Sequence, residues 1–282
     1  MVIVNSPTEA IRTAWAITTG QQARVASPRG QTTHEVLDWS ITIQHPDRLA
    51  VGIPGRNLRP AIGVLEGLQL VGQTSSPEVM QARTPALMRW TNDGVADGAY
   101  GLRIHGMLPR VVRLLQEDPY SRQAVLSVYS TREDLTKPTL DVPCTLSIQF
   151  MLRGGVLLTR TSMRSNDVWL GLPYDLMQFG MLAQAVAQAL HVEVGPLHHM
   201  VGSLHVYEQH REQAHTIANA WPPAGFESVA VRWGSHDIGG ISSRARALLH
   251  NVDRPILQPT LFERWALETL HGRQPQHGEE TP

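Results

Sequence analysis

The fold is decided by residues 145–163, which read TLSIQFMLRGGVLLTRTSM. The first half alternates in the way that is typical of a half-buried strand. The residues on one side of this predicted strand are Leu146, Ile148, Phe150 and Leu152. Gly154-Gly155 is a two-residue hairpin signal, after which residues 156–163 return as a second strand. This stretch therefore predicts an antiparallel hairpin.

Shorter patterns on either side of the hairpin predict further elements. Three more strands are predicted, at 35–44, 124–129 and 203–207. Four helices are predicted, at 58–71, 108–117, 176–191 and 208–219. The pattern weakens after Pro222, and the polar residues 272–282 are expected to be disordered. A hairpin followed by a long helix and another strand predicts an α+β fold with a mixed sheet.

The composition is that of an ordinary globular protein. The chain has 282 residues, of which 42% are hydrophobic and 17% charged, with a formal net charge of −1. This length suits one large domain or two small ones, and a single domain over residues 1–282 is expected. A charge near zero gives no reason to expect a nucleic acid or an anionic membrane as partner. The sequence has neither a membrane-spanning apolar run nor a signal-peptide pattern, so a cytoplasmic protein is expected.

The chain contains one cysteine, Cys144, which follows a proline at the start of the predicted hairpin. One cysteine can form neither an intrachain disulfide nor a cysteine-based metal cluster. A lone cysteine is commonly an inert, buried side chain, whereas a reactive thiolate needs a positive charge nearby. Arg164 follows the hairpin and could reach back to supply that charge. The residues alone leave both interpretations open.

Other polar residues follow the hairpin. Asp167 could cap a loop, and Asp175 directly precedes the predicted helix 176–191, where aspartate is a common N-cap. His205 and Tyr207 lie two apart on a predicted strand, so both point to one face, which is a modest signal of a site. Three more histidines lie nearby, namely His198, His199 and His210. Their spacing matches no metal-binding motif, so no metal is predicted.

Taken together, four segments resemble thymidylate synthases and their hydroxymethylase relatives. In chain order they read DPYSRQAV, PCTLSIQF, RSNDVWLGLPYD and VGSLHVYEQH, and the resemblance covers about residues 98–215. It implies an α+β domain around a mixed sheet that dimerises by packing two sheets back to back. It also implies 5,10-methylenetetrahydrofolate as co-substrate, with a pyrimidine nucleoside monophosphate as substrate and no metal.

The resemblance implies roles for residues near the base and the folate. Cys144 matches the nucleophile that adds to carbon 6 of the pyrimidine, and Tyr100, in GAYGLR, matches a tyrosine near it. With small gaps, Glu66 matches the general-base glutamate that organises active-site water. Asp167 matches an aspartate that helps to hold base and folate. Trp90 stands where the family has a tryptophan that packs on the folate.

The resemblance also implies a phosphate and sugar site. Arg29, Arg164 and Arg122 match phosphate-binding arginines, with Arg122 contributed across the interface of a homodimer. Gln123 stands where a second cross-subunit arginine is usual, which predicts a weaker or rearranged clamp. The remaining implied contacts are Ser165 beside the phosphate arginine, and His205 and Tyr207 at a sugar hydroxyl.

The implied chemistry can lead to two different products. Thiolate addition to carbon 6 makes carbon 5 a nucleophile that attacks an activated one-carbon unit. Loss of the carbon-5 proton then leaves an exocyclic methylene on the base. Hydride from the folate converts that group into a methyl group, whereas water converts it into a hydroxymethyl group.

Asp175 separates the possible substrates. Thymidylate synthases carry asparagine here, whose amide matches uracil, whereas the family's cytidylate hydroxymethylases carry aspartate. A carboxyl group fits cytosine, because one oxygen accepts from the 4-amino group and the other, when protonated, donates to N3. A helix cap remains the alternative role for Asp175, although asparagine caps a helix equally well.

Two weaker features agree with hydroxymethylation. Trp90 lacks the upstream tryptophan that is usual in thymidylate synthases, and residues 272–282 are polar where methyl-forming members have an apolar tail that closes over the cofactor. The sequence therefore predicts 5-hydroxymethylation of CMP or dCMP, with the choice of sugar left open. The alternatives are a divergent thymidylate synthase that methylates dUMP and a non-catalytic nucleotide-binding homologue.

Overall fold

The computed structural model describes residues 2–76, 79, 96–136, 141–220, 227–250, 256 and 258–271. Trp90 and the polar segment 272–282 lie outside these residues. No helix in the described part of the chain is long and apolar enough to cross a membrane.

Nine strands and nine α-helices are described. The strands are β1 (Val2–Val4), β2 (Arg24–Ala26), β3 (Thr33–Ile43), β4 (Arg48–Gly52), β5 (Val125–Ser127), β6 (Thr145–Arg153), β7 (Val156–Asp167), β8 (Glu193–Tyr207) and β9 (Glu227–Ala230). The helices are α1 (Pro7–Thr19), α2 (Pro60–Val71), α3 (Tyr100–Arg103), α4 (Leu108–Glu117), α5 (Thr131–Asp134), α6 (Leu172–Ala189), α7 (Glu208–Asn219), α8 (Ile238–His250) and α9 (Leu261–Leu270).

Seven strands form one mixed sheet. The strand order is β1-β3-β8-β7-β6-β5, with β2 also paired to β3. The β7–β8 and β1–β3 pairs are parallel, whereas β6–β7 and β3–β8 are antiparallel. The predicted hairpin is β6–β7, and both glycines of its turn have positive φ, 61° at Gly154 and 81° at Gly155, as a type I′ turn requires. The predicted α+β fold with a mixed sheet is confirmed.

Two helices that carry site residues pack tightly together. A side chain at Gly63 or Gly67 of α2 would collide with Met177 or Met181 of α6. Glycine at both positions therefore allows this close approach without displacing the ends of the two methionine side chains. This helix contact places Glu66, on α2, next to the first turns of α6.

An aligned kink crosses three strands of the sheet. It passes through Asp38 of β3, Gly202 of β8 and Arg164 of β7, and the Cα pairing resumes in register beyond each of them. Asp38 has φ 54°, and a Cβ on Gly202 would lie 3.0 Å from the Arg164 carbonyl oxygen. Burial alternates before the kink and shifts by one residue after it. The ends of β7 and β8 therefore turn a new set of side chains outward, including His205 and Tyr207.

Several elements differ from the sequence prediction. β8 begins at Glu193, ten residues before the predicted start, and α6 begins at Leu172 rather than at 176. The signal for the early start of α6 is Pro173, since proline is favoured in the first helical turn. Helices α1, α8 and α9 were not predicted. Their apolar faces are interrupted by small and polar residues, and they are held by packing against the core rather than by a strong local pattern.

Candidate active site

A cavity of about 630 Å³ opens between α2, the start of α6 and the kinked ends of β7 and β8. It gathers residues that are up to 178 positions apart in sequence, from Arg29 to Tyr207. The sequence-predicted residues that line it are Arg29, Glu66, Tyr100, Cys144, Arg164, Ser165, Asp167, Asp175, His205 and Tyr207. A volume of this size suits a small organic ligand.

Arg164 braces the segment that carries the cysteine. Its Nε donates to the Pro143 carbonyl at 3.0 Å, and one terminal nitrogen donates to the Val142 carbonyl at 3.0 Å. The same nitrogen lies 3.8 Å from Cys144 Sγ. A guanidinium at this distance stabilises a thiolate relative to a thiol. The predicted proximity of Arg164 to Cys144 is therefore observed, and Cys144 is a partly exposed cysteine that forms no disulfide.

Tyr100 lies where three acidic groups converge. Burial, followed by the negative charges of Asp175 and Cys144, raises the pKa of the Tyr100 hydroxyl well above its usual value. The charge of Glu66 acts in the same direction, while a hydrogen bond with Thr145 opposes it. The hydroxyl therefore stays protonated and available as a hydrogen-bond donor at the cysteine end of the cavity.

Asp175 is not a helix cap. The N-cap of α6 is Gly171, and Asp175 lies one turn further on, inside the helix. Its carboxylate accepts from Asn166 Nδ2 at 3.1 Å and from Gln178 Nε2 at 2.9 Å. The side chain is buried in the cavity wall. The capping alternative is therefore wrong, because the helix starts earlier than its apolar pattern predicts.

Most of the residues predicted to bind the sugar and the phosphate lie on the outward face that the kink creates. His205, Tyr207 and Ser165 all line the cavity, with Arg29 in a short 3₁₀ segment where its φ is 52°. Burial, followed by the charge of Asp167, raises the pKa of the Tyr207 hydroxyl, with Arg29 opposing the shift. Tyr207 is therefore a neutral hydroxyl that can donate or accept a hydrogen bond.

Asp167 caps a turn and also lines the cavity. Its Oδ1 accepts from the backbone N–H groups of Trp169 and Leu170, at 2.7 and 3.0 Å. This is the loop-capping arrangement that the sequence offered as an interpretation. One carboxylate oxygen is committed to this turn.

Of the remaining predicted residues, one is described away from this cavity and the other is not described. Arg122 is exposed and does not line it within the described chain, so its cross-subunit role stays a prediction. Trp90 falls outside the described residues. Among those that are described, no group of three potential metal ligands comes together.

Sequence reasoning missed several polar residues of the cavity wall, among them Asn166, Gln178 and Asp141. Gln178 is three positions after Asp175 on one helix, a spacing that places two side chains on one face. Asn166 lies inside the RSND segment that carried the resemblance. Asp141 accepts from the Gly98 N–H at 2.8 Å and so ties the cysteine segment to the loop before Tyr100. The Gln178 spacing became a signal only once the helix was known to begin before Asp175.

Comparison with known proteins agrees with this architecture. The family model for thymidylate synthase matches residues 89–226, a stretch that contains the whole resemblance at 98–215. A protein of Bacillus phage SP01 named deoxyuridylate hydroxymethyltransferase is 31% identical over 205 residues, which cover 66% of this chain and 54% of that protein. A thymidylate synthase of Ascaris suum is 32% identical over 124 residues, which cover 43% of this chain and 42% of that enzyme.

The chain spans about half the length of these two relatives. The match nevertheless includes the hairpin, the cysteine segment, the start of α6 and the end of β8. These parts line the cavity together with α2 and the segment of Arg29, which lie outside the match. Residues 89–226 therefore carry a thymidylate synthase family domain.

Proposed function

We propose that the chain is a one-carbon transferase that hydroxymethylates carbon 5 of a cytidine 5′-monophosphate, CMP or dCMP. The observation that carries this proposal is the position of Asp175. Its carboxylate lies in the wall of the cavity that also contains Cys144, and both groups act on the same Tyr100 hydroxyl. A base whose carbon 6 faces Cys144 would turn its polar edge toward Asp175.

The carboxyl group distinguishes the two pyrimidines by hydrogen bonding. Cytosine offers an amino donor at position 4, which a carboxylate oxygen accepts. Uracil offers a carbonyl oxygen there, which repels it. A buried polar site can reject the wrong edge by a factor of up to ~10⁴, because the unmatched groups are left unpaired.

The residues of the cavity would then share the chemistry. Cys144 adds to carbon 6, with Arg164 stabilising the thiolate, and Tyr100 donates a hydrogen bond beside it. Glu66 serves as the general base that orders water for the hydroxymethyl outcome. At the other end Arg29 and Ser165 bind the phosphate. His205 and Tyr207 bind a sugar hydroxyl.

5,10-Methylenetetrahydrofolate would supply the one-carbon unit. The cavity lining includes apolar Ile62, Val79 and Leu170, which suit a flat ring system, and Asp167, which can accept hydrogen bonds from it. Trp90 is proposed as a further stacking surface for the folate.

A second copy of the chain would complete the phosphate end. We propose a homodimer in which Arg122 of one copy reaches the phosphate in the other. The exposed position of Arg122 supports this, since its side chain is available at the surface.

A second candidate is hydroxymethylation of dUMP. The name of the phage relative favours it, and that relative matches over more of the chain than the Ascaris suum enzyme does. Methylation of dUMP, the activity named for that second relative, is the further alternative.

The test is a panel of four nucleotides. The purified protein is incubated with methylenetetrahydrofolate and CMP, dCMP, UMP or dUMP, and the product masses are read. A gain of CH₂O on a cytidine nucleotide alone is expected, and it would also identify the sugar. The same gain on dUMP alone would favour the second candidate, and a gain of CH₂ on dUMP would identify a thymidylate synthase.

A further inference from the structure

Asp175 is held by two amide side chains in the cavity wall. Gln178 Nε2 donates to Oδ1 at 2.9 Å, and Asn166 Nδ2 donates to Oδ2 at 3.1 Å. Asn166 and Gln178 are 2% and 4% exposed, and Asp175 is 8% exposed. Because burial keeps water away from these three side chains, the two amides strongly influence the protonation state of the carboxyl group.

Both contacts favour the ionised carboxyl group. An amide NH₂ can donate but cannot accept, so each donor stabilises a carboxylate oxygen and neither can receive a proton from an acid O–H. Two donors, one on each oxygen, orient the carboxylate in a single plane.

We propose that Asn166 and Gln178 are positioning residues that keep Asp175 ionised, so that cytosine is bound with an additional proton on N3. This inference rests on the proposed function. A carboxylate facing neutral cytosine would meet the lone pair of N3. With one proton taken up on N3, both the N3–H and the 4-amino group donate to Asp175, and the pair is bidentate.

The proton prepares the base for thiolate addition. When Cys144 Sγ bonds to carbon 6, the C5=C6 pair moves to C4–C5 and the C4=N3 pair moves onto N3. N3 already carries the proton, so this step neutralises the positive charge of the ring and no further proton is needed. Asp175 remains a carboxylate throughout. The adduct is then a neutral enamine whose carbon 5 is nucleophilic.

Uracil meets the same carboxylate differently. Its N3–H already donates to one oxygen, but its O4 faces the other as acceptor against acceptor. The two amide donors keep that second oxygen from carrying a compensating proton. The arrangement therefore rejects uracil by a repulsive contact and not only by loss of an attractive one.

The test is the number of protons taken up when nucleotide binds. The wild-type protein is titrated calorimetrically with CMP and dCMP at about pH 8, in buffers of different ionisation enthalpy. Ribose 5-phosphate, which lacks the base, gives the proton uptake that comes from binding the sugar and the phosphate. The proton uptake with nucleotide is expected to exceed that with ribose 5-phosphate by about one proton per bound molecule.

Variants assign that proton. Gln178→Met removes one donor at similar volume, leaves Asp175 more often protonated before binding, and so lowers the uptake. Gln184→Met, at a buried glutamine of α6 that does not line the cavity, should match the wild type. If Gln178→Met does not fold, proton uptake is measured in Asn166→Ala instead. Glu66, Tyr100 and Cys144 are the other titratable groups at this end, and Glu66→Gln should retain the uptake.

The outcomes separate the two proposals. Binding of CMP or dCMP without base-dependent proton uptake would overturn this inference while leaving the proposed function intact, provided that hydroxymethyl product still forms. Unchanged uptake in both Gln178→Met and Asn166→Ala would equally overturn the positioning role. If neither cytidine nucleotide binds, both proposals fall.

Discussion

The two ends of the cavity are built differently. At the base end, Cys144, Tyr100 and Asp175 come from three separate elements and are fixed by hydrogen bonds and burial within one chain. At the end where we propose that phosphate binds, Arg29 lies in an exposed 3₁₀ segment, and His205 and Tyr207 are half-buried on the outward face of β8. The end with Cys144 is held rigid by these contacts, whereas the end with Arg29 is more open to solvent.

The largest effect is expected at the base end, from Cys144→Ser. A hydroxyl cannot replace the thiolate at neutral pH, so turnover should fall by on the order of 10⁴-fold or more. Binding of nucleotide, measured by calorimetry, should change little, since the other contacts remain. Turnover near the wild-type rate would show that Cys144 is not the nucleophile.

Asp175→Asn should reverse the choice of base. The ratio of kcat/KM for cytidine over uridine nucleotides is expected to change by up to ~10⁴. Because Gly171 is the N-cap of α6, the thermal midpoint should shift only modestly, which separates this role from capping. A ratio that stays the same, with stability lost instead, would contradict the account.

Arg164→Lys tests the brace beside the thiol. Lysine cannot donate to both the Pro143 and Val142 carbonyls from one planar group. A displacement of the cysteine by about 1 Å would lower kcat/KM by roughly 10²-fold. Arg160→Lys is the matched control, because Arg160 is an exposed arginine of the same strand. Equal effects of the two substitutions would argue against the brace.

Tyr207→Phe tests the phosphate and sugar end. Loss of one hydrogen bond to the sugar costs about 1 kcal/mol and should raise KM roughly five- to tenfold with little change in kcat. Tyr120→Phe, at a tyrosine that is 77% exposed, serves as control. A fall in kcat with constant KM would move Tyr207 from binding into the chemistry.

The smallest effect on activity is expected at His199, in the core and away from both ends. Burial, followed by the charge of His198, lowers the pKa of His199 to about 3. Below about pH 6.5 the unfolded chain binds a proton on this histidine and the folded chain does not. The free energy of unfolding therefore decreases as the pH is lowered, by up to ~1.4 kcal/mol per pH unit. His199→Gln should flatten this slope in urea titrations. An unchanged slope would assign the acid sensitivity to other groups.

Local signals predicted the parts of the fold that depend on neighbours in sequence. The β6–β7 hairpin, α2 and α4 follow from alternation, paired glycines and helical period within short windows. The kink at Asp38, Gly202 and Arg164 could not be predicted in this way, because it needs three strands brought into register. That kink is what turns His205 and Tyr207 outward.

The residues of the candidate site also differ in whether local sequence could predict them. Cys144 and Arg164 were identifiable as a pair, since the hairpin between them returns the chain to its start. The partners of Asp175 were not, because Asn166 belongs to β7 and meets α6 only after the chain has turned at Gly171. The role of an aspartate in a helix depends on where that helix begins. Its apolar pattern alone placed the start four residues too late.

The most direct test of the central claim is tritium release from carbon 5. The protein is incubated with methylenetetrahydrofolate and either 5-tritiated cytidine or 5-tritiated uridine nucleotides, with Cys144→Ser as the blank. The account predicts release from a cytidine nucleotide, in step with formation of the hydroxymethyl product, and almost none from the uridine nucleotides. Release from uridine nucleotides alone would contradict the assignment of Asp175, and release by the Cys144→Ser protein would contradict the thiolate mechanism.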